Sequence, residues 1–286
     1  MSKFLQEAIE EINLRGYNVI RISEAFENKI ETVTLRPTCA CLDCYSVAKA
    51  FTVTAIGLLC DKGLLSVTEK IIDIFPKKIP VNADPRWKQV NIDAVLRHRC
   101  GFSEGFLDID VQSIYDYPDR DFLGYIFSAP FACAPNERKT YSDGAYYLLS
   151  RVVTQKTGRA LDEFLWEELF YKMGFQEAAW SKCPMGYAMG ATGLYLRTED
   201  MVKLGVLYQN GGVYEGTRIL SEQWTDTVRR RFYELEPTGH GDSYGKGGMH
   251  GQMLLILPSQ NRVVAWHSYE QKDMTPLFKK IVSFKN

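Results

Sequence analysis

Around residue 46 the chain reads Cys-Tyr-Ser-Val-Ala-Lys-Ala-Phe-Thr, with Ser46 and Lys49 three positions apart. In a helix that spacing sets a hydroxyl and an amine on one face. A serine hydroxyl is a poor nucleophile at neutral pH and needs an adjacent base; a lysine serves when burial or another cation lowers its pKa. Val47, Ala48, Ala50 and Phe51 supply apolar surroundings. A helix over residues 46–61 would also stabilise negative charge developing near Ser46. Short patterns recur by chance, and Ser-x-x-Lys returns at Ser243-Tyr-Gly-Lys246, where a glycine in a strand-like run gives the two side chains no shared face. Alone, Ser46 and Lys49 favour a capping serine and a surface lysine.

A second cluster asks for a metal reading. Cys39, Cys41 and Cys44 place three thiols in six residues. A closed zinc site wants four ligands, usually as two spaced pairs, and no second Cys or His pair appears later in the chain. Free thiols are the expectation, with no metal and no cofactor. The seven cysteines, scattered from Cys39 to Cys183, are an odd number that suits a reducing compartment better than a disulfide framework.

Helices and strands at both ends of the chain must position these residues. The N-terminus carries Glu7, Glu10 and Glu11 where a secretory signal needs apolar residues, so it reads as an amphipathic helix in a cytoplasmic protein. Residues 17–37 give two β-branched runs around a polar Ser23–Lys29 turn, a hairpin signal. Toward the other end, strands are predicted around Tyr244–Met249, Gln252–Leu257 and Arg262–Ser268, then a helix with Leu277, Phe278, Ile281 and Val282 on one face. Mostly helical segments lie between, several opening on Ser, Thr, Asn or Asp and closing near Gly. The fold class expected is α/β (α+β): an antiparallel sheet flanked by helices built from both termini (1–60 and 211–286), an inserted mainly helical lobe (61–210), and a cleft between them. Tyr146, Tyr147, Trp166, Phe170 and Tyr171 are expected in the core or cleft wall, Arg229–Phe232 at a solvated helix end, and His98 in a structural role.

With 286 residues, 45% hydrophobic, the chain is large enough for two lobes, and its formal charge of −1 gives no field favouring nucleic acid or an acidic membrane. No stretch approaches the ~20 apolar residues of a membrane span. A small molecule is the expected partner; oligomeric state is not legible.

Two later motifs lift Ser46 and Lys49 above chance. Tyr141-Ser142-Asp143 stands before an apolar helix, and Lys246-Gly247-Gly248 stands in a strand before a tight turn. Ser-x-x-Lys, Tyr-x-Asn and Lys-Thr-Gly in that order are the motifs of the serine β-lactamase and penicillin-binding protein superfamily. The chain resembles its class C-like branch, with esterases and amide hydrolases, over roughly residues 40 to 270. The resemblance implies that Ser46 is acylated, that Lys49 accepts its proton, and that Tyr141 is the general acid or base. It implies that Lys246 adds positive charge near both, and that the amides of Ser46 and Met249 form the oxyanion hole. Gly247 and Gly248 fit a strand that substrate approaches closely, and His250 comes next after the oxyanion residue, where it reaches substrate or solvent.

Two positions depart from the pattern. Asp143 replaces the usual Asn with an anion able to pair with Lys49, and Gly247 replaces the Thr or Ser whose hydroxyl meets an anionic substrate end. The expected function is a serine hydrolase acting through an acyl-enzyme on esters or amides of small acyl substrates. The alternatives are a β-lactamase or DD-peptidase, and an inactive binding protein that keeps the cleft.

Overall fold

A computed structural model of the chain describes residues 1–27, 29–117 and 120–285. The chain divides into two compact units: Met1–Val47, Phe175–Ala178 and Tyr195–Asn286 form one, Ala48–Gly174 and Ala179–Leu194 the other.

The first unit is built on a six-stranded sheet in which Lys29–Thr34, Val19–Phe26, Arg262–Ser268, Gln252–Leu257, Tyr244–Gly248 and Glu236–Pro237 lie side by side. Every pairing is antiparallel; Ile22 faces Trp266, Leu255 faces Val264 and Leu254 faces Lys246. Alternation along the strands sends Met253, Leu255, Val264 and Trp266 to one face, where they pack with Phe4, Leu5, Ala8 and Ile12 of the helix Lys3–Arg15 and Leu277 and Ile281 of Thr275–Ser283. Each such side chain contributes roughly 1.5–3 kcal/mol on burial. The other face takes the helix Thr198–Gln209. A methyl group on its Gly205 would stand 2.4 Å from Val263 Cγ1 and 3.0 Å from Leu254 Cδ1, so glycine sets how closely helix and sheet approach.

The hairpin expected at the N-terminus is present, but its strands extend into the predicted turn. Ser23 and Glu24 lie inside the first strand because both are buried with partners: Ser23 Oγ is 2.8 Å from Thr32 Oγ1, and Glu24 pairs with Arg262. Polar residues satisfied within the sheet read, in sequence, as a turn. Asn28, within that predicted turn, lies outside the described residues.

The second unit centres on the helix Ala48–Asp61, buried from Ala48 to Leu59, with Asp143–Thr157 packed on it and Ile92–Leu96 packed on the latter. Residues 48–60 thus cluster with the helices and 195–210 with the sheet, whereas the sequence placed the boundaries at 60 and 210. The helix Ala48–Asp61, buried from Ala48 to Leu59, needs partners on every side, and Thr198–Gln209 turns its apolar face to the sheet. Tyr146, Tyr147 and Phe170 are buried as expected, but Tyr171 is exposed: residues Trp166–Phe170 form a π-helical turn, which shifts the next residue off the buried face. No helix among the described residues is long and apolar enough to cross a membrane.

Candidate active site

In the sheet-bearing unit, Ser46 sits in a 3-10 turn, Tyr45–Val47, directly before the helix Ala48–Asp61, not in the first α-turn the sequence suggested. Asp43 makes that turn by accepting the Tyr45 amide at 2.8 Å, and Val47 N–H closes it on the Cys44 carbonyl at 3.1 Å. Tyr45 adopts a left-handed backbone to do so, φ +46°. The strand Tyr244–Gly248 ends against this turn. A methyl group on Gly248 would lie 2.8 Å from Cys44 O and 3.2 Å from Ser46 N, so only glycine lets the strand reach the serine amide. Met249 comes at once and begins the 3-10 turn Met249–Gly251. His250 is left-handed too, φ +58°, and its ring meets Tyr45 edge-on at 5.2 Å and stacks on Tyr269 at 4.2 Å. Ser268 Oγ donates to the His250 carbonyl, fixing the turn from the neighbouring strand.

Lys246, on the same strand, forms a close ion pair with Glu234, which is buried. A carboxylate that the sequence reading did not include therefore stands against the Lys246 charge. Glu234 was missed; its only signal was the Glu-Leu-Glu run at 234–236. The chance-match partner Ser243 is occupied elsewhere, its hydroxyl bonded to Thr238 and the His240 carbonyl.

In the helical unit, Lys49 is fully buried, with Nζ 2.8 Å from Asp143 Oδ1, 3.0 Å from the Ala191 carbonyl and 4.7 Å from the centre of the Tyr141 ring. The pairing anticipated from Asp143 is present. Asp143 opens the helix Asp143–Thr157. The Ser142 amide just before it donates to His98 Nδ1 at 3.2 Å, and the His98 ring lies 4.5 Å from that of Tyr141. His98 therefore holds the Tyr141 loop in place. Tyr141 itself is 44% exposed.

Asp108 and Asp110 join Asp143 in a group whose carboxylate oxygens lie within 4.8 Å of one another. Burial pushes the Asp110 carboxyl up to about 6; the Thr192 hydroxyl, 2.8 Å away, opposes this, and the Asp143 and Asp108 charges add to it. Asp108 is raised by the same burial and by Asp143. Neither stands out in the sequence, where both lie in a segment without periodicity. Among the described residues this is the one gathering of three metal-type ligands; it excludes the Cys39, Cys41 and Cys44 run, and its Asp143 already lies against Lys49 Nζ. Cys39 is exposed, Cys41 partly so, and Cys44 is buried under the serine turn.

A serine turn closed against a glycine strand lies in one unit, and a buried lysine held by carboxylate and carbonyl beside a tyrosine lies in the other. The chain matches the Beta-lactamase family over residues 41–279 and belongs to that family of β-lactamase-fold hydrolases. Among characterised relatives, Penicillin-binding protein 4 of Amycolatopsis lactamdurans is 28% identical over 270 residues, covering 77% of this chain and 70% of its own. Two solved structures share the fold. EstCE1, a hydrolase with promiscuous acyltransferase activity, superposes with a TM-score of 0.77 at 12% identity, covering 98% of each chain. A family VIII carboxylesterase gives 0.74 at 16% identity, covering 98% of this chain and 96% of its own.

Proposed function

We propose that the protein is a serine hydrolase that forms an acyl-enzyme on Ser46 and cleaves ester or amide bonds of small acyl substrates. The observation that supports this reading is the glycine-only approach of Gly248 to the Ser46 amide; Met249 follows at once, and its amide and that of Ser46 are the two donors for the carbonyl oxygen. In the reaction Ser46 Oγ attacks the carbonyl carbon and its proton passes to Lys49 Nζ. Asp143 holds the ammonium that results. Negative charge on the carbonyl oxygen rests on the two amides. Tyr141 donates a proton to the departing alcohol or amine, then takes one from the water that attacks the acyl-enzyme, and Ser46 regains its proton as the acid leaves. Lys246 stays paired with Glu234 on its strand.

Several features disfavour the β-lactamase or DD-peptidase alternative suggested by the penicillin-binding relative. Those substrates carry a carboxylate, whereas Gly247 offers it no hydroxyl and Asp108, Asp110 and Asp143 surround Lys49 with negative charge. The test is intact-mass detection of a fluorophosphonate adduct together with hydrolysis of p-nitrophenyl butyrate, both abolished by Ser46→Ala. A wild-type protein that neither labels nor turns over any activated ester would sink the proposal in favour of a non-catalytic binding role.

A further inference from the structure

Directly after Met249 the chain turns back on itself, and the turn brings a ring against Tyr45, the residue before the nucleophile. His250 adopts a left-handed backbone there, φ +58°, which strains any residue with a Cβ. Two bonds from the end of the strand Arg262–Ser268 and just beyond it hold the turn: the His250 carbonyl accepts Ser268 Oγ at 2.6 Å and the Glu270 amide at 2.9 Å. The turn is pressed close, since a methyl group on Gly251 would stand 2.9 Å from Ser268 Oγ and 2.6 Å from Met274 Sδ. The imidazole stacks on the Tyr269 ring, 4.2 Å away and 26° off parallel, and meets Tyr45 edge-on at 5.2 Å. Tyr269 is pinned at its own backbone, where its amide donates to the Asn18 carbonyl at 2.9 Å and its carbonyl accepts Asn18 Nδ2 at 2.9 Å. The three rings form a row that begins one residue before Ser46. None of them joins the core between the sheet and the terminal helices, and Tyr269 is 54% exposed although His250 stacks on it. Ring surface is therefore left open on side chains that are already ordered.

We propose that this row is a platform for an aromatic ring of the substrate, so that the preferred substrates are esters or amides bearing an aryl group close to the bond that is cleaved. An aromatic ring gains from stacked and edge-on contact with other rings beyond what buried area gives, and a saturated ring of the same size does not. Tyr269 and His250 are held by backbone bonds and by each other, so little freedom is lost when the ligand arrives. A charged ligand has less to meet, because the nearby Glu270 carboxylate already accepts the Asn18, Gln271 and Lys272 amides. The platform follows the Met249 amide directly in the chain, so a ring attached within a few bonds of the substrate carbonyl is the one it serves. The link to turnover rests on the hydrolase reading; binding of the ring is measured without it.

The binding probe is phenylacetamide, titrated by NMR into the full-length Ser46→Ala protein, with cyclohexylacetamide as the saturated control. Phenylacetamide should bind about fivefold more tightly. Tyr269→Leu keeps bulk and deletes the ring, and His250→Asn keeps a residue that tolerates the left-handed turn; each should bring the two amides within a factor of about two. Tyr269→Phe should retain the preference, and melting curves show that each variant is folded; if one of the first two is not, the other carries the test. In the wild-type enzyme, methyl phenylacetate is compared with methyl cyclohexylacetate, and benzyl acetate with cyclohexylmethyl acetate, to place the ring on the acyl or the alcohol side. At least one pair should favour the aromatic member in kcat/KM, mainly through KM, and Tyr269→Leu should erase that preference. Equal binding of the two amides, a preference indifferent to Tyr269→Leu and His250→Asn, no binding at all, or parity in both ester pairs overturns the proposal. Ring-selective binding that is lost in both variants of a protein that hydrolyses no ester would uphold the platform and reject the hydrolase reading, so the two fail separately.

Discussion

Gly248 has no room for a methyl group, and the group it would strike is the carbonyl of Cys44, one turn below the nucleophile. In Gly248→Ala the strand must move off the serine turn by several tenths of an ångström. The displacement falls on the separation of the Ser46 and Met249 amides, where charge appears only as the carbonyl is attacked. The loss should therefore fall on kcat, about 10²-fold or more, with KM changed much less and the melting temperature lowered by only a few degrees. Steady-state kinetics on p-nitrophenyl butyrate separate these; a kcat within a factor of about three of wild type would remove the oxyanion role from this contact. Tyr141→Phe keeps the ring beside His98 and Lys49 and deletes only the hydroxyl, so it should cut turnover by ~10² while leaving thermal stability unchanged. A loss of stability without loss of rate would make Tyr141 a packing residue.

At the scale of elements, the loop carrying Asp108 and Asp110 holds negative charge against a buried lysine, and the fold bears a pH-dependent penalty for it. The Asp110 carboxyl has an ordinary value of 3.8 and is raised to about 6 in the folded chain. Below both values folded and unfolded chains hold the proton, and Asp110 costs nothing. As pH rises between them the unfolded chain releases its proton first, so stability falls, and above about 6 the full cost stays in place. Asp110→Asn keeps an acceptor for the Thr192 hydroxyl and cannot ionise. It should melt several degrees higher than wild type near pH 7.5, with the gap closing toward pH 4, as thermal scans across that range will show. A constant gap at every pH would mean the change acts through packing. The strand that carries Lys246 and Gly248 was legible from the turn and the apolar runs that follow it, as was the order of the three motifs. The acidic loop was not, since Asp108 and Asp110 sit in a segment without periodicity and gain meaning only from Thr192 and Asp143, far along the chain. Ser23 and Glu24 were misread for the same reason: their partners, Thr32 and Arg262, are what make a polar stretch a strand. The π-helical turn at Trp166–Phe170 leaves no mark in a pattern of apolar spacing, so Tyr171 was assigned to the wrong face.

Across the whole molecule the seven cysteines are reduced thiols, and their surroundings rank their reactivity. Cys39 is exposed. Cys41 is pushed up to about 11 by partial burial and by Glu177, and Cys60 to about 12 by burial beside Asp61 and Glu69. Cys133 is half-buried with its Sγ toward the Gly101 carbonyl, Cys44, Cys100 and Cys183 are buried, and the Cys100 thiol is raised by burial alone. Only the thiolate attacks a disulfide reagent, so the rise from 9.0 to about 11 slows Cys41 by about 10² before shielding is counted. An aromatic disulfide reagent near pH 8 should therefore release one thiol quickly from the native protein, and that phase should vanish in Cys39→Ser. The buried thiols should react only after denaturation. The same experiment decides the metal question left by the Cys39, Cys41 and Cys44 run. Cys44 lies under the serine turn, its carbonyl toward Gly248 and its Sγ near the Tyr45 carbonyl, whereas Cys41 Sγ lies toward Glu177. Bringing the three thiols onto one ion would pull the nucleophile turn apart. One equivalent of zinc should leave the fast Cys39 phase and the esterase rate unchanged; protection of Cys39 with loss of activity would show that the run binds metal after all.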